Sequence, residues 1–217
     1  MDNLKRKTKT NNFIEILFPK SITDMQEKGG IPSPEVINEW QDITERRLYV
    51  EDINETIIDY LSYYIAKWNL DDDKNEIPIG QRKPIKVFIN SNGGVLNETM
   101  HCIDIIDASK TPVFTICQSK AFSAGGLLLK AGHKRYCYKS SVYLLHAGST
   151  GMGGSTTAVF DTLKFQEKYE QKVKKFVLNR TKITEKEYEE IYRKEWYLDA
   201  EDMLKYGIVD EIIDEIV

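Results

Sequence analysis

The chain lacks the marks of several functional classes. It has only three cysteines in 217 residues. They are odd in number and fall in expected helix and strand segments (Cys102, Cys117, Cys137), which fits reduced, buried thiols rather than a disulfide framework. No His/Cys spacing suggests zinc, and no other pattern calls for a cofactor, so neither a metal nor a cofactor is expected. There is no G-x-x-x-x-G-K-[ST] motif, so the chain is not expected to hydrolyse ATP itself. Its apolar runs are too short to span a bilayer. The lysine-rich opening MDNLKRKTKTNN has no apolar core of a secretory signal, and a cytoplasmic protein is expected. A net charge of −4 favours neither nucleic acid nor an anionic membrane as partner. Internal repeats and low-complexity tracts are also missing.

What remains is long enough to bury a sizeable core. Strand-like and helix-like stretches alternate, which points to an α/β fold built from repeated strand-turn-helix units. The most informative unit is SKAFSAGGLLLKAG. It follows the strand-like TPVFTIC and places Ser123 where strand gives way to apolar helix. A serine hydroxyl is a weak nucleophile unless a sharp turn presents it and a base takes its proton. The small residues Ala124, Gly125 and Gly126 allow close backbone approach to a substrate, and a helix N-terminus offers N–H donors to a developing oxyanion. The same residues also read as an ordinary N-cap with small residues at a crossing.

A second unit lies upstream in KVFINSNGGVLNETMHCIDIID: a buried strand from Val87 to Asn90, a tight Asn-Gly-Gly turn, then a helix with apolar positions at Val95, Leu96, Met100, Ile103, Ile105 and Ile106. Gly93 and Gly94 permit positive φ and bring backbone N–H groups to the surface, as the other half of an oxyanion hole or as a pairing edge for an extended peptide. Of the three histidines, His146 ends a strand and is the candidate base. His101, within a helix, and His133, in the polar turn AGHKR, read as surface residues. Lys120 and Lys130 leave a Ser-Lys pairing as an alternative.

Elsewhere, ITERRLYV leads into a strand after a turn-rich connection at Gly29, Gly30, Pro32 and Pro34. NETIIDYLSYYIAKW (Asn54 to Trp68) is an amphipathic helix, and residues 69–83 read as a polar loop. A long helix runs from Thr156 to Asn179, with apolar residues at helical spacing at Val159, Leu163, Tyr169, Val173, Phe176 and Val177. Thr184 and Glu187 form a capping box for the next helix. Asp199 suits the cap of a helix from Ala200 to Lys205, which Gly207 closes before the strand IVDEII.

The order of these motifs resembles the proteolytic subunit of the Clp protease, a relative of the crotonase fold. The likeness is clearest in INSNGG, AFSAGGLLLKAG, RYCYKSSVYLLH and YLDAEDMLKYGIVDEI, and runs from about Arg46 to Ile213. On this basis residues 1–45 are a divergent N-terminal segment and residues 46–217 a serine peptidase domain. The resemblance implies Ser123 as nucleophile, His146 as general base, and Glu195 where the family has its aspartate, with Asp199 the alternative acid. It implies oxyanion or substrate contacts at Gly93, Gly94 and Ala124, a substrate-lining strand and turn in AGSTGMGGST, and a handle helix at Thr156 to Asn179. It further implies an unfolded protein or peptide as substrate, a homo-oligomeric ring of seven or fourteen subunits, and a separate ATPase unfoldase.

The chain also departs from the family pattern. Asn92 stands where proline is usual, Ala124 where methionine is common, and Ala147-Gly148 where Gln-Pro usually follows the histidine. Arg193 and Lys194 replace an Asp-Arg pair that often links rings. Two rival readings share these motifs: a crotonase-like acyl-CoA enzyme without a Ser-His pair, and a catalytically weak ring subunit that assembles with an active relative.

Overall fold

The computed structural model describes residues 34–149, 151–191 and 193–216. Of the turn-rich connection expected at Gly29, Gly30, Pro32 and Pro34, the first three lie outside the described residues, as does most of the divergent opening segment, and Pro34 opens a helix instead of a turn. The chain divides into units after Glu45. Helix α1 (Pro34–Thr44) belongs to the first. Pro34 occupies its first position, where the missing N–H has no helical partner to lose.

From Arg46 onward the described residues form one seven-stranded, mostly parallel sheet. Strands β1 (Arg47–Ile53), β2 (Ile85–Gly94), β3 (Val113–Phe122), β4 (Lys134–Tyr138) and β7 (Glu211–Ile213) lie side by side in the order β1-β2-β3-β4-β7. The runs IKVFI and VFTIC are near-continuously apolar, as strands covered on both faces must be. Their Ile85, Val87, Ile89, Val113, Ile116 and Cys117 are at most 1% exposed.

The ten-residue β3 is shared between two neighbours. Its first half, Phe114 to Cys117, pairs with β4, and its second half, Lys120 to Phe122, pairs with β5 (Val142–Leu145). Strand β5 in turn pairs antiparallel with β6 (Trp196–Leu198). The sheet therefore forks midway along β3, and the serine turn and the end of β5 lie together at the end of the β5 branch.

Helices fill the connections. A π-helical turn (Ile58–Ser62) runs into α2 (Tyr63–Lys74), and α3 (Leu96–Ala108) buries Thr99, Cys102, Ile103 and Ile106 at helical spacing. Helix α4 (Ala124–Ala131) is buried along its whole length. Then come α5 (Thr156–Arg180), α6 (Glu185–Ile191) and α7 (Ala200–Lys205). The capping box appears as expected: Thr184 donates its N–H and hydroxyl to Glu187 Oε2, and Glu187 N–H returns to Thr184 Oγ1 at 3.2 Å. Gly207, at φ +67°, closes α7.

Two expectations are corrected. Residues 69–74 belong to helix α2, not to a polar loop. Asn69 and Asp72 serve tertiary contacts instead of water. Arg46 grips the 1%-exposed Asp72 with bonds of 2.6 and 2.8 Å, and Thr111 Oγ1 donates to Asp72 at 2.8 Å. Burial works against the Asp72 charge, yet these partners outweigh it and hold its carboxyl below the usual range. Asn69 Oδ1 accepts the N–H groups of Lys110 and Thr111. Second, Asn92-Gly93-Gly94 is not a free turn. Strand β2 continues through Gly94, with Gly93 and Gly94 opposite Asp52 and Ile53 past an irregularity in the ladder.

Candidate active site

Ser123 joins β3 to α4 in a conformation rare for a residue with a side chain, φ +53° and ψ −120°. Such strain persists only where the surroundings over-determine it. Here Ser123 N–H donates to Leu144 O of β5 at 2.9 Å, and Leu127 N–H bonds Ser123 O at 3.2 Å to start the helix. The residue holds the N-cap position, yet its side chain makes no capping bond. That separates it from the ordinary N-cap the sequence also allowed. Compare Ser155 and Asp199, which cap α5 and α7 by accepting from Ala158 and Asp202 N–H.

The turn is possible because glycines surround it. A Cβ on Gly93 (φ +106°) would stand 2.8 Å from Ser123 Cβ and 3.2 Å from Ala124 N, and one on Gly94 (φ +150°) would collide with Ile53 O. The end of β2 thus lies directly against the serine turn. Gly93 N–H donates to the buried Ser91 Oγ at 3.0 Å, while Gly94 faces the cavity beside Ser123. Ala124 opens α4, so its N–H is among those without an intrahelical acceptor. Ser91 was not singled out from sequence. Its signal is the Ser-x-Gly spacing in INSNGG, which lets a hydroxyl receive an amide two residues on.

His146 follows the last residue of β5, and because Phe122 pairs with Leu144, the ends of β3 and β5 run out together. Ser123 and His146 line one cavity of about 480 Å³, with Gly94, Ala124 and Leu145 beside them. Glu195 stands just before β6. In the β5–β6 register, Tyr143, Leu144 and Leu145 face Leu198, Tyr197 and Trp196. The ladder ends at Leu145 and Trp196, so His146 and Glu195 are the next residues beyond it on the two strands. The Glu195 side chain is exposed and accepts from Tyr197 Oη at 3.2 Å, which raises the phenol's pKa. Asp199 is occupied elsewhere, as the α7 cap, accepting Asp202 N–H at 2.9 Å.

The far wall of the cavity comes from α5. Phe165, Tyr169 and Val173 recur at four-residue intervals and present one face to it, with Gln166 and Glu170 alongside. Tyr169 and Val173 were read from sequence only as the apolar face of the helix. Phe165 was missed, although its spacing to them is the signal that would have found it. It stacks on Tyr169 with ring centroids 5.8 Å apart. Tyr197, also missed, meets Phe122 edge-on at 5.9 Å, next to the serine turn.

Other reactive groups are accounted for differently. His101 is exposed, and His133 Nδ1 accepts Val113 N–H at 2.9 Å. All three cysteines are buried, and desolvation pushes the Cys117 and Cys137 thiols up to about 12 and Cys102 up to about 11, far from thiolate reactivity at neutral pH. Lys120 lies in β3 opposite Val142, and the Lys130 amine is bonded to Gly126 O and Tyr143 Oη. Among the described residues, no three His, Cys, Asp or Glu side chains group closely enough to hold a metal ion, and no helix is long and apolar enough to cross a membrane. The substrate-lining strand implied for AGSTGMGGST is not formed among its described residues. A Cβ at Gly148, Gly151 or Gly153 would meet nothing within 4 Å.

The fold and this site define an α/β protein that presents a serine on a strand-to-helix turn beside a histidine. A family model described as Clp protease matches residues 78–216. The chain is 30% identical over 135 residues to the ATP-dependent Clp protease proteolytic subunit 2 of Treponema pallidum (strain Nichols), spanning 61% of this chain and 68% of that protein. It is likewise 30% identical over 133 residues to the protein of the same name from Bacillus licheniformis, spanning 60% of this chain and 70% of that protein. The chain belongs to the Clp protease family.

Proposed function

We propose that this chain is a serine endopeptidase that cleaves unfolded proteins or peptides by Ser-His-acid catalysis inside a ring of its own copies. The observation that carries this reading is Ser123: strained, uncapped, and at the wall of a cavity it shares with His146. In the proposed reaction His146 takes the proton of Ser123 Oγ as that oxygen attacks the peptide carbonyl. The Gly94 and Ala124 N–H groups receive the negative charge on the carbonyl oxygen. His146 then hands the proton to the leaving amine, and water releases the acyl group by the same steps in reverse roles. Glu195 fixes the imidazole tautomer and steadies its positive charge, and Gly93 keeps room for the turn. The apolar wall of Leu127, Val173, Phe165 and Tyr169 suits an extended peptide with an apolar side chain beside the scissile bond.

Phe160 and Leu163 of α5 are 58 and 43% exposed. Apolar side chains gathered on one exposed helix are a surface that further copies would cover, which supports assembly into one ring of seven or two stacked rings. A cytoplasmic setting and a separate ATPase that feeds the ring complete the proposal. The test is hydrolysis of an unstructured fluorogenic peptide by the purified protein, with its oligomeric state read by light scattering. Ser123→Ala should abolish hydrolysis and leave the oligomer intact. Near-normal turnover in that variant, or a monomer at micromolar concentration, would sink the reading.

A further inference from the structure

The Ser-His-acid reading leaves Lys130 without a role. Its side chain is wholly buried in the last turn of α4. Lysine is almost never so placed without a partner, since an unpaired buried ammonium is costly. Burial, reinforced by the charge of Arg135, drives the amine's pKa well below its ordinary value. Nζ makes two short hydrogen bonds, to Gly126 O at 2.7 Å and to Tyr143 Oη at 2.6 Å. Tyr143 is itself 0% exposed and sits in β5.

These contacts join the two elements that carry the reacting groups. Helix α4 begins at Ser123, and β5 ends immediately before His146. At one end they are tied by the bond from Ser123 N–H to Leu144 O, and deeper in the protein by Lys130 and Tyr143. Between the two ties the Tyr143 ring lies on bare helix backbone: a Cβ on Gly126 would stand 2.6 Å from Tyr143 Cε2. A methionine at position 130 would fill the same space, and apolar replacements of buried polar groups often leave stability unchanged or improve it. What an apolar chain lacks is direction. Two hydrogen bonds from one amine, to the helix's own backbone and to the neighbouring strand, fix the rotation and height of α4 against β5. Two helical turns separate Lys130 from Ser123, roughly 10 Å of rise, so the amine acts through the helix and not on the serine oxygen.

We propose that Lys130 and Tyr143 are a positioning pair that locks helix α4 to β5 and thereby sets the alignment of Ser123 with His146. This rests on the serine-peptidase reading, because the alignment matters only if the two side chains react together. A misplacement of about 1 Å at a reacting pair costs roughly 10²-fold in rate.

The test uses Lys130→Met and Tyr143→Phe in the full chain, with active sites counted by a phosphonate probe. Turnover per titrated site should fall about 10- to 100-fold, KM should stay within about twofold, and phosphonate labelling of Ser123 should slow by the same factor as turnover. The double variant should be little worse than either single one, since both remove one coupling. Thermal midpoints should be unchanged or raised for Lys130→Met. Turnover per site within about twofold of the unmodified protein in both variants would overturn the pair. Hydrogen exchange at the Ser123 amide reads the same lock without any reaction, and should speed up in Lys130→Met; unchanged protection there would overturn it as well. If the unmodified protein neither cleaves peptide nor takes the probe, the peptidase reading falls, and the exchange result still decides whether the lock exists.

Discussion

The two walls of the cavity are built in opposite ways. On the serine side, every atom near the turn is fixed. Gly93, Gly94, Gly125 and Gly126 each lie where a single added carbon would strike Ser123, Ile53, Ser91 or Tyr143, and α4 is buried throughout. On the facing side, a Cβ on Gly148 would meet nothing within 4 Å, and Phe165 of α5 stands exposed. The difference separates two tasks. Holding a strained nucleophile requires surroundings that leave it no alternative, whereas receiving a long, variable chain requires surface that is still unpaired.

The largest effect should come from breaking the rigid wall at its base. His146→Ala should lower turnover by about 10⁶, with Ser123→Ala and the double variant no worse by more than a small factor, because the residues act as a unit. His101→Ala and His133→Ala should leave turnover near normal. If His133→Ala were the variant that lost activity, the base would be misplaced.

Glu195→Gln comes next, at about 10² to 10⁴ in turnover with the fold retained, since the imidazole loses the group that fixes its tautomer. Asp199→Asn should affect only the α7 cap, at about 1 kcal/mol or less of stability. The reverse pattern would move the acid to Asp199. Two stability changes compare the walls directly. Gly94→Ala, with a positive φ and a collision at Ile53 O, should destabilise by roughly 2–4 kcal/mol, while Gly148→Ala should change stability by no more than about 0.5 kcal/mol. Thermal midpoints of the two variants measure this, and equal midpoints would erase the contrast between the walls.

The rigid wall was legible in part. Small residues after a strand and before an apolar run marked the strand-turn-helix unit around Ser123, and short-range capping signals at Thr184, Glu187, Asp199 and Gly207 all formed. Long-range partners were not legible. Nothing local in NLDDDK reveals that Asp72 will meet Arg46 and Thr111, so its polarity read as solvent exposure although the residue is buried. Gly93 and Gly94 read as a turn because a glycine pair signals one; only the neighbouring Ile53 and Ser123 show that they let a strand pass at close range. Lys130 and Tyr143 meet across two elements, and neither residue type announces the other.

The most direct measurement is to treat the purified protein with a fluorophosphonate, digest it, and map the adduct by mass spectrometry. A single adduct on Ser123, formed at a rate that falls together with peptide turnover in His146→Ala, is the result the account predicts. An adduct on another residue, or labelling of Ser123 at full speed in His146→Ala, would contradict it.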